Sequence, residues 1–132
     1  MILKDQVIMV VDQPNHNNRI YSADCIQKEV DRLQGKELYG QIGMPETPTI
    51  HLIDVTHKVS NLRMEQNKLI GDITIVDFPD GNPLKHLIEN TNVCFRSAGL
   101  GNISENEDPN GAYLVTNFTL TGVHAVLEQD AS

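Results

Sequence analysis

A serine and three histidines are the residues of this sequence whose types best suit catalysis. Ser97 is closely followed by Gly99 and Gly101, and residues that lack a Cβ let backbone N–H groups approach a developing oxyanion. A serine hydroxyl needs a base to be nucleophilic at neutral pH, so a serine in a glycine-rich bend also has a purely structural interpretation. The candidate bases are His51, His57 and His124.

The charge balance and the apolar runs exclude two classes of partner. The 132-residue chain has a formal net charge of −8, from 18 acidic and 10 basic residues. A surface of this sign repels a phosphate backbone, and no lysine or arginine cluster offsets it locally. The longest wholly apolar stretch, Val7 to Val11, is far short of the roughly 20 residues that a membrane-spanning helix needs. We therefore expect neither a nucleic-acid partner nor a membrane.

Metal and cofactor motifs are missing from the sequence as well. No pair of histidines, cysteines or carboxylates has a compact spacing such as C-x-x-C or H-E-x-x-H, and there is no phosphate-binding loop. Cys25 and Cys94 lie in unlike contexts, and both are expected to be free, buried thiols. His16 and His86 stand apart, one in a loop and one on a helix. The prediction is that the protein holds no metal and no cofactor.

The spacing of apolar residues predicts two helices. Ser22 is a suitable N-cap, and Ile26, Val30 and Leu33 follow at helical intervals, so the first helix is predicted near residues 23–34. The second is predicted near residues 83–90, because Pro83 suits the first turn of a helix.

The rest of the chain is predicted to be mainly extended. Polar turn sequences at 65–68 and 108–111 lie between apolar runs and predict two hairpins. A chain of this length fits one domain. We predict a single domain over residues 1–132 that is mainly β (α+β), a small antiparallel β-barrel or curled sheet with two flanking helices. The predicted strands are Ile2–Asp12, Glu37–Gly43, Asp54–Met64, Leu69–Asp77, Val93–Ile103 and Tyr113–Val126.

Three segments, in this order, carry a resemblance to a known family. The first, 17–21, has the letters N-N-R-I-Y and is similar to an N-x-R-x-Y-P motif, with Ser22 in place of the proline. The second, 39–45 with the strand 50–59, is similar to a G-E-[LF]-[DG]-H-P segment followed by V-S-H-x-V. The third, 96–101, has the letters R-S-A-G-L-G and is similar to S-S-R-G-x-G. Together they resemble the prohead core proteases of tailed phages, serine peptidases that process scaffold and capsid subunits and are similar in fold to herpesvirus assembly proteases.

The resemblance implies roles for four residues. It places Ser97 at the nucleophile position and Met44 at the position of the general-base histidine, where a thioether has no proton to shuttle. His57 matches the histidine of the V-S-H strand. His124 stands where the family tends to have an aspartate, and a histidine there is similar to the herpesvirus arrangement. We therefore expect Ser97, His57 and His124 to occupy catalytic positions in an inactive site.

The expected function is that of a pseudoenzyme in phage assembly. The resemblance implies a non-catalytic structural or assembly protein of the phage head, in a decoration, vertex or scaffold-associated role. Its partners would be capsid or scaffold proteins, with a homo-oligomer left open, and its location the cytoplasm of the infected bacterium and the virion head. One alternative is an active serine endopeptidase of prohead maturation, with Ser97 as nucleophile and another histidine as base. A further alternative is a chance likeness in an unrelated small β-domain.

Overall fold

The computed structural model describes residues 1–15, 17–107 and 111–128, with the backbone alone described for 105–107. Within these ranges the chain forms strands and helices in a mixed order. They are β1 (Ile2–Val10), β2 (Arg19–Tyr21), α1 (Ala23–Arg32), β3 (Leu38–Gly40), β4 (His57–Glu65), β5 (Lys68–Ile75), α2 (Pro83–Asn90), β6 (Val93–Glu107) and β7 (Tyr113–Leu127).

The strands form two sheets that curl towards each other. One sheet has the order β1-β5-β4-β3 and the other the order β2-β7-β6. All neighbouring strands are antiparallel except β2 and β7, which are parallel. The predicted fold, mainly β with two helices and an open, curled arrangement of sheets, is confirmed.

The predicted elements agree with the structure in type, and the differences lie at their ends. Both hairpins form, β4 with β5 and β6 with β7; residues 108–110, in the predicted turn of the second, lie outside the described residues. The first helix ends at Arg32, two residues before the predicted end, and the second spans the predicted residues. Strand β2 was not predicted because its three residues pair with Tyr113 to Val115, far along the chain, and pairing of that kind leaves no local pattern.

The core is built from aliphatic side chains of both sheets and of the helices. The largest fully buried apolar side chains include Ile8, Ile26, Leu69, Ile73 and Leu84. Phe95 is the aromatic member of the buried cluster. Alternation along the strands places the strand residues among them on the inner faces of the sheets, and α1 and α2 contribute Ile26 and Leu84.

An ion pair between the buried Glu29 and the exposed Arg32 fixes α1 to the second sheet. The carboxylate of Glu29 accepts two hydrogen bonds from Arg32, at 2.8 and 2.9 Å, and one from the backbone N–H of Leu120, at 2.7 Å. The hydrogen bonds from Arg32 hold the pKa of Glu29 below its usual range. Because the charge is paired and hydrogen-bonded, its burial positions the helix without leaving an unsatisfied group.

The two sheets meet where β3 passes from one to the other. Gly40 pairs with His57 in the first sheet, while the following residues run beside β7. The N–H of Gly43 donates to Ala125 O at 2.8 Å, and the N–H of Ala125 donates to Gln41 O at 2.9 Å. The chain from Gly40 to Gly43 is therefore the seam between the sheets.

His57 fills the space at this seam. Its side chain is fully buried, and its Nε2 lies 2.7 Å from the carbonyl oxygen of Val123, while Nδ1 lies 2.9 Å from Thr56 Oγ1. A carbonyl can only accept, so Nε2 carries the proton and Nδ1 accepts from the threonine hydroxyl. A Cβ on Gly40 would overlap both the His57 ring and Val123 O, so the ring fits only because residue 40 is glycine.

Among the described residues, no helix is both long and apolar enough to cross a membrane.

His57 and His51 offer a matched test of this structural role, since one is fully buried and the other is an exposed residue of the same segment. We expect His57→Ala to lower the free energy of unfolding by about 2–4 kcal/mol, because it leaves a cavity and unpaired polar groups at the seam. We expect His51→Ala to change it by less than about 0.5 kcal/mol. Equilibrium unfolding in urea measures both, and equal effects of the two substitutions would contradict the assignment.

Candidate functional site

A large cleft lies between β1 and β6. Each is an edge strand of its sheet, and no backbone ladder joins one to the other in the described chain. The cleft has a volume of about 590 Å³. Its lining consists of Gln6 to Val10, Gln13 to Asn15, Asn17, Tyr21, Met44, Val93 to Ser97, and Val126.

Ser97 lies in β6 at the wall of this cleft. It is directly opposite Val123 of β7, and cross-strand partners share a face of the sheet. Phe95, two residues earlier, shares that face and belongs to the core cluster. The Ser97 hydroxyl has no hydrogen-bond partner among the described residues.

Met44 lies in the same cleft as Ser97. It follows Gly43, whose N–H is bonded to β7, and 51% of its surface is exposed. The two residues that the resemblance assigns as nucleophile and base position thus line one cleft. A thioether at this place cannot accept the serine proton.

His124 lies on the other face of the second sheet. Its cross-strand partner is Arg96, the neighbour of Ser97, and side chains of successive residues point to opposite faces of a strand. Ser97 and His124 are therefore directed to opposite sides of the sheet. With both ring nitrogens of His57 bound at the seam, the three residues form no serine–histidine–histidine relay.

The ring of His124 is completely buried, and one of its two nitrogens forms a hydrogen bond. Its Nδ1 accepts a hydrogen bond of 3.1 Å from the N–H of Gln41, so in the neutral ring the proton is on Nε2. That Nε2 has no partner among the described residues. Burial, with a smaller contribution from the nearby His57, lowers the pKa of His124 to about 4.

Gly99 and Gly101 have a structural explanation in the same hairpin. A Cβ on Gly99 would overlap Thr119 O, and its surroundings include the ring of Phe118. A Cβ on Gly101 would overlap Asn117 O. The missing side chains thus leave room for the backbone of β7. This close packing explains the glycine-rich run without any role in binding an oxyanion.

The other candidate residues lie elsewhere. His51 is exposed on the loop before β4, and His16 lies outside the described residues. The cysteines are free, as expected, and both are partly exposed instead of buried. Among the described residues no three His, Cys, Asp or Glu side chains are grouped so as to hold a metal ion.

Sequence reasoning did not identify Gly40 or the pairing of Arg96 with His124. Both depend on strand register, and a shift of one residue in register reverses which side chains share a face. No spacing within a single strand could have revealed them.

Comparison with known proteins shows a shared fold. No protein-family model matches the sequence, and no curated protein matches it either. The structure is similar to that of a phage capsid assembly protease. That protein is gp21 of bacteriophage T4; the similarity has a TM-score of 0.83 at 19% sequence identity and covers 95% of this chain and 80% of gp21. The prohead-protease-like fold implied by the sequence motifs is thereby confirmed.

The low pKa of His124 predicts a loss of stability in mild acid. In the unfolded chain the imidazole gains a proton below about pH 6.5, but the folded protein resists protonation until about pH 4. The unfolded state is therefore favoured progressively as the pH falls from 6.5 to 4, by about 3 kcal/mol in total.

The variant His124→Asn isolates this effect, because its side-chain oxygen can replace Nδ1 as the acceptor for Gln41 N–H but does not titrate. We expect its free energy of unfolding to fall less steeply than that of the wild type between pH 6.5 and 4. The variant His86→Asn, at an exposed position of α2, is the control and should follow the wild type. Parallel profiles for wild type and His124→Asn would show that His124 does not carry the effect.

Proposed function

We propose that this chain is a non-catalytic assembly protein of a phage head, in which the fold of a prohead protease serves to bind capsid or scaffold chains. The observation that carries the proposal is that Met44 and Ser97 line the same cleft. At the position where the resemblance requires a base, the side chain cannot take a proton.

The remaining histidines near the cleft support the same proposal. His57 has both ring nitrogens bound to Thr56 and Val123, and His124 is directed to the opposite face. None of the described residues that line the cleft is His, Asp, Glu or Lys. Without a base, the Ser97 hydroxyl is a weak nucleophile, and hydrolysis of a peptide bond has no path for its proton.

The cleft is nevertheless suited to a polypeptide segment. Its lining includes the buried side chains of Ile8 and Phe95 and three amide residues that are not buried, Gln13, Asn15 and Asn17. Amide side chains both donate and accept hydrogen bonds, as an extended backbone requires. Arg96 also lines the cleft. We propose that a largely apolar segment of a capsid or scaffold subunit lies along this cleft and remains uncut.

The proposed location follows from this role. A chain that binds head subunits during assembly acts in the cytoplasm of the infected bacterium and stays with the virion head. Purified mature virions should then contain it in a fixed ratio to the capsid protein.

The absence of catalysis has a direct test at Ser97. We expect a serine-reactive phosphonate to leave the protein unlabelled, and Ser97→Ala to leave its binding of head proteins and its stability unchanged within about 0.5 kcal/mol. Intact-mass spectrometry measures the labelling, with an active serine protease as the positive control. Ser104→Ala, in the same strand, controls for loss of a serine hydroxyl.

The second candidate function is an active serine endopeptidase that processes head proteins. It is favoured by the similarity to gp21, a capsid assembly protease, and by the position of Ser97 at the cleft wall. Labelling of Ser97 in the wild type, abolished in Ser97→Ala and retained in Ser104→Ala, would establish this alternative and refute the proposal.

Binding in the cleft is testable through the two cysteines. Cys94 lines the cleft, whereas Cys25 belongs to α1, where burial raises the pKa of its thiol. With overlapping peptides of the major capsid and scaffold proteins as probes, we expect a bound peptide to slow maleimide labelling of Cys94. At a peptide concentration ten times its Kd the rate should fall about tenfold.

Cys25 serves as the internal control for that experiment. Its labelling rate should not change with added peptide, and Cys25→Ser should leave protection of Cys94 intact. Peptide mapping after the reaction assigns each label. A peptide that binds but protects neither cysteine, or both equally, would place the binding site outside the cleft.

A further inference from the structure

Asp72, in the middle of β5, is a buried carboxylate on the face of the sheet opposite the core. Its neighbour Ile73 is a core residue, and successive side chains of a strand point to opposite faces. Only 5% of the surface of Asp72 is exposed. Its carboxylate accepts hydrogen bonds from Asp5 N–H at 3.0 Å and from the side-chain amide of Asn61 at 3.1 Å. Asp72 thus joins β1 and β4, the two strands that flank β5.

Both flanking strands are bulged at this point. The pairing of β1 with β5 shifts register between Leu3 and Gln6, and Asp5, inside that shift, has a φ of 56°. The pairing of β4 with β5 shifts register after Ser60, and Asn61, which follows, has a φ of 55°. Residues other than glycine adopt this left-handed conformation when their surroundings hold them in it. Here the two left-handed residues are the two that bind the buried carboxylate.

Charged side chains complete a cluster around the carboxylate, here called the Asp72 clamp: Lys4, Asp5, Asn61, Arg63 and Asp72. Arg63 donates hydrogen bonds to the carboxylate of Asp5 and, at 2.9 Å, to the carbonyl oxygen of Asn61. Lys4 Nζ and Arg63 Nη1 each lie 3.6 Å from an oxygen of Asp72. The hydrogen bond from Asp5 N–H is the main cause of a lowered pKa at Asp72. At neutral pH the clamp therefore holds a paired, hydrogen-bonded charge.

On the core side of the same place, the bulged strands bring two apolar side chains onto Gly71. A Cβ on Gly71 would lie 3.1 Å from Ile8 Cδ1 and 3.3 Å from Leu62 Cδ2. Ile8 belongs to β1, is 1% exposed and also lines the cleft. Because side chains alternate along a strand, loss of the bulge in β1 would turn the side chains that follow it to the other face. The bulge therefore decides how Gln6 to Val10 line the cleft.

We propose that Asp72 is a positioning residue for the β1 wall of the cleft, an inference that rests on the proposed function where it concerns binding. Asp72 acts through the backbone of β1: by holding the bulge at Asp5, it fixes the wall formed by Gln6 to Val10 without touching the bound segment. A wall that is held in one conformation before binding loses less conformational entropy when the segment binds.

Hydrogen exchange of the free protein tests the positioning directly. Valine suits a strand but accepts no hydrogen bond, so we expect Asp72→Val to speed exchange of the amides of residues 6–10 at least about tenfold. Amides of the β6–β7 hairpin should keep their wild-type rates. Lys58→Ala, which removes an ion pair with Glu37 elsewhere in the same sheet, is the matched control and should leave residues 6–10 unchanged.

A double variant separates the hydrogen bonds from a general loss of stability. Asp72→Asn with Asn61→Asp keeps one carboxylate and one amide between β4 and β5, and the amide oxygen at position 72 can still accept from Asp5 N–H. Its exchange at residues 6–10 should return to within about threefold of the wild type. Circular dichroism and the thermal midpoint check that each variant folds. If Asp72→Val does not fold, Asp72→Asn alone replaces it and should show a smaller increase in the same residues.

Peptide binding tests the consequence for the cleft. With the peptide that best protects Cys94 as the probe, Asp72→Val should raise the Kd about tenfold, while Lys58→Ala and the double variant should bind like the wild type. Unchanged exchange at residues 6–10 in Asp72→Val overturns the inference, as does a double variant that exchanges as fast as Asp72→Val. Faster exchange with an unchanged Kd overturns the role in binding. If no peptide protects Cys94 in the wild type, the proposed function fails, and the exchange measurement alone decides whether Asp72 positions β1.

Discussion

The close approach of β3 to β7 at Gly40 is the contact on which the rest of the architecture depends. Residue 40 has no room for a Cβ, since that atom would overlap His57 and Val123 O. The imidazole placed there is buried and hydrogen-bonded at both nitrogens, to the Thr56 hydroxyl just before β4 and to the Val123 carbonyl of β7. A buried polar group is stabilising only when its partners are present, and this one has them on either side of the seam.

The seam also explains why a cleft exists. The sheets are joined by hydrogen bonds along residues 40–43, and the opposite edges, β1 and β6, remain unpaired with each other. Met44 follows the seam directly, so it is carried to the cleft by the same bonds that join the sheets. A side chain at position 44 can therefore reach a molecule in the cleft. The residue there is methionine, whose thioether cannot take up or release a proton.

The histidines illustrate how burial changes what a residue type can do. His57 and His124 are fully buried, and burial lowers the pKa of both. A neutral, bonded imidazole at the seam contributes to stability, whereas a general base must reach the proton that it abstracts. The fold shared with gp21 is thus maintained here by residues that, in the described structure, are engaged in packing and hydrogen bonding.

The sequence by itself determined the secondary structure and the fold class, because these depend on local patterns. Helix spacing at Ile26, Val30 and Leu33, the N-cap Ser22, and alternation in the hairpin strands each act within a few residues. Residue type alone also decides that Met44 cannot carry a proton, whereas its place at the base position is implied by the family resemblance and stays a prediction.

Only the tertiary structure decided which side chains face one another. Ser97 and His124 were candidates for one site, but the register that places Ser97 opposite Val123 directs His124 to the other face. The glycines near Ser97 proved to accommodate the backbone of β7, and β2 formed through a pairing with residues more than 90 positions away. Strand register and sheet closure bring distant segments together, and the stability of each pairing depends on the residues of both strands. No pattern within either segment alone contains that information.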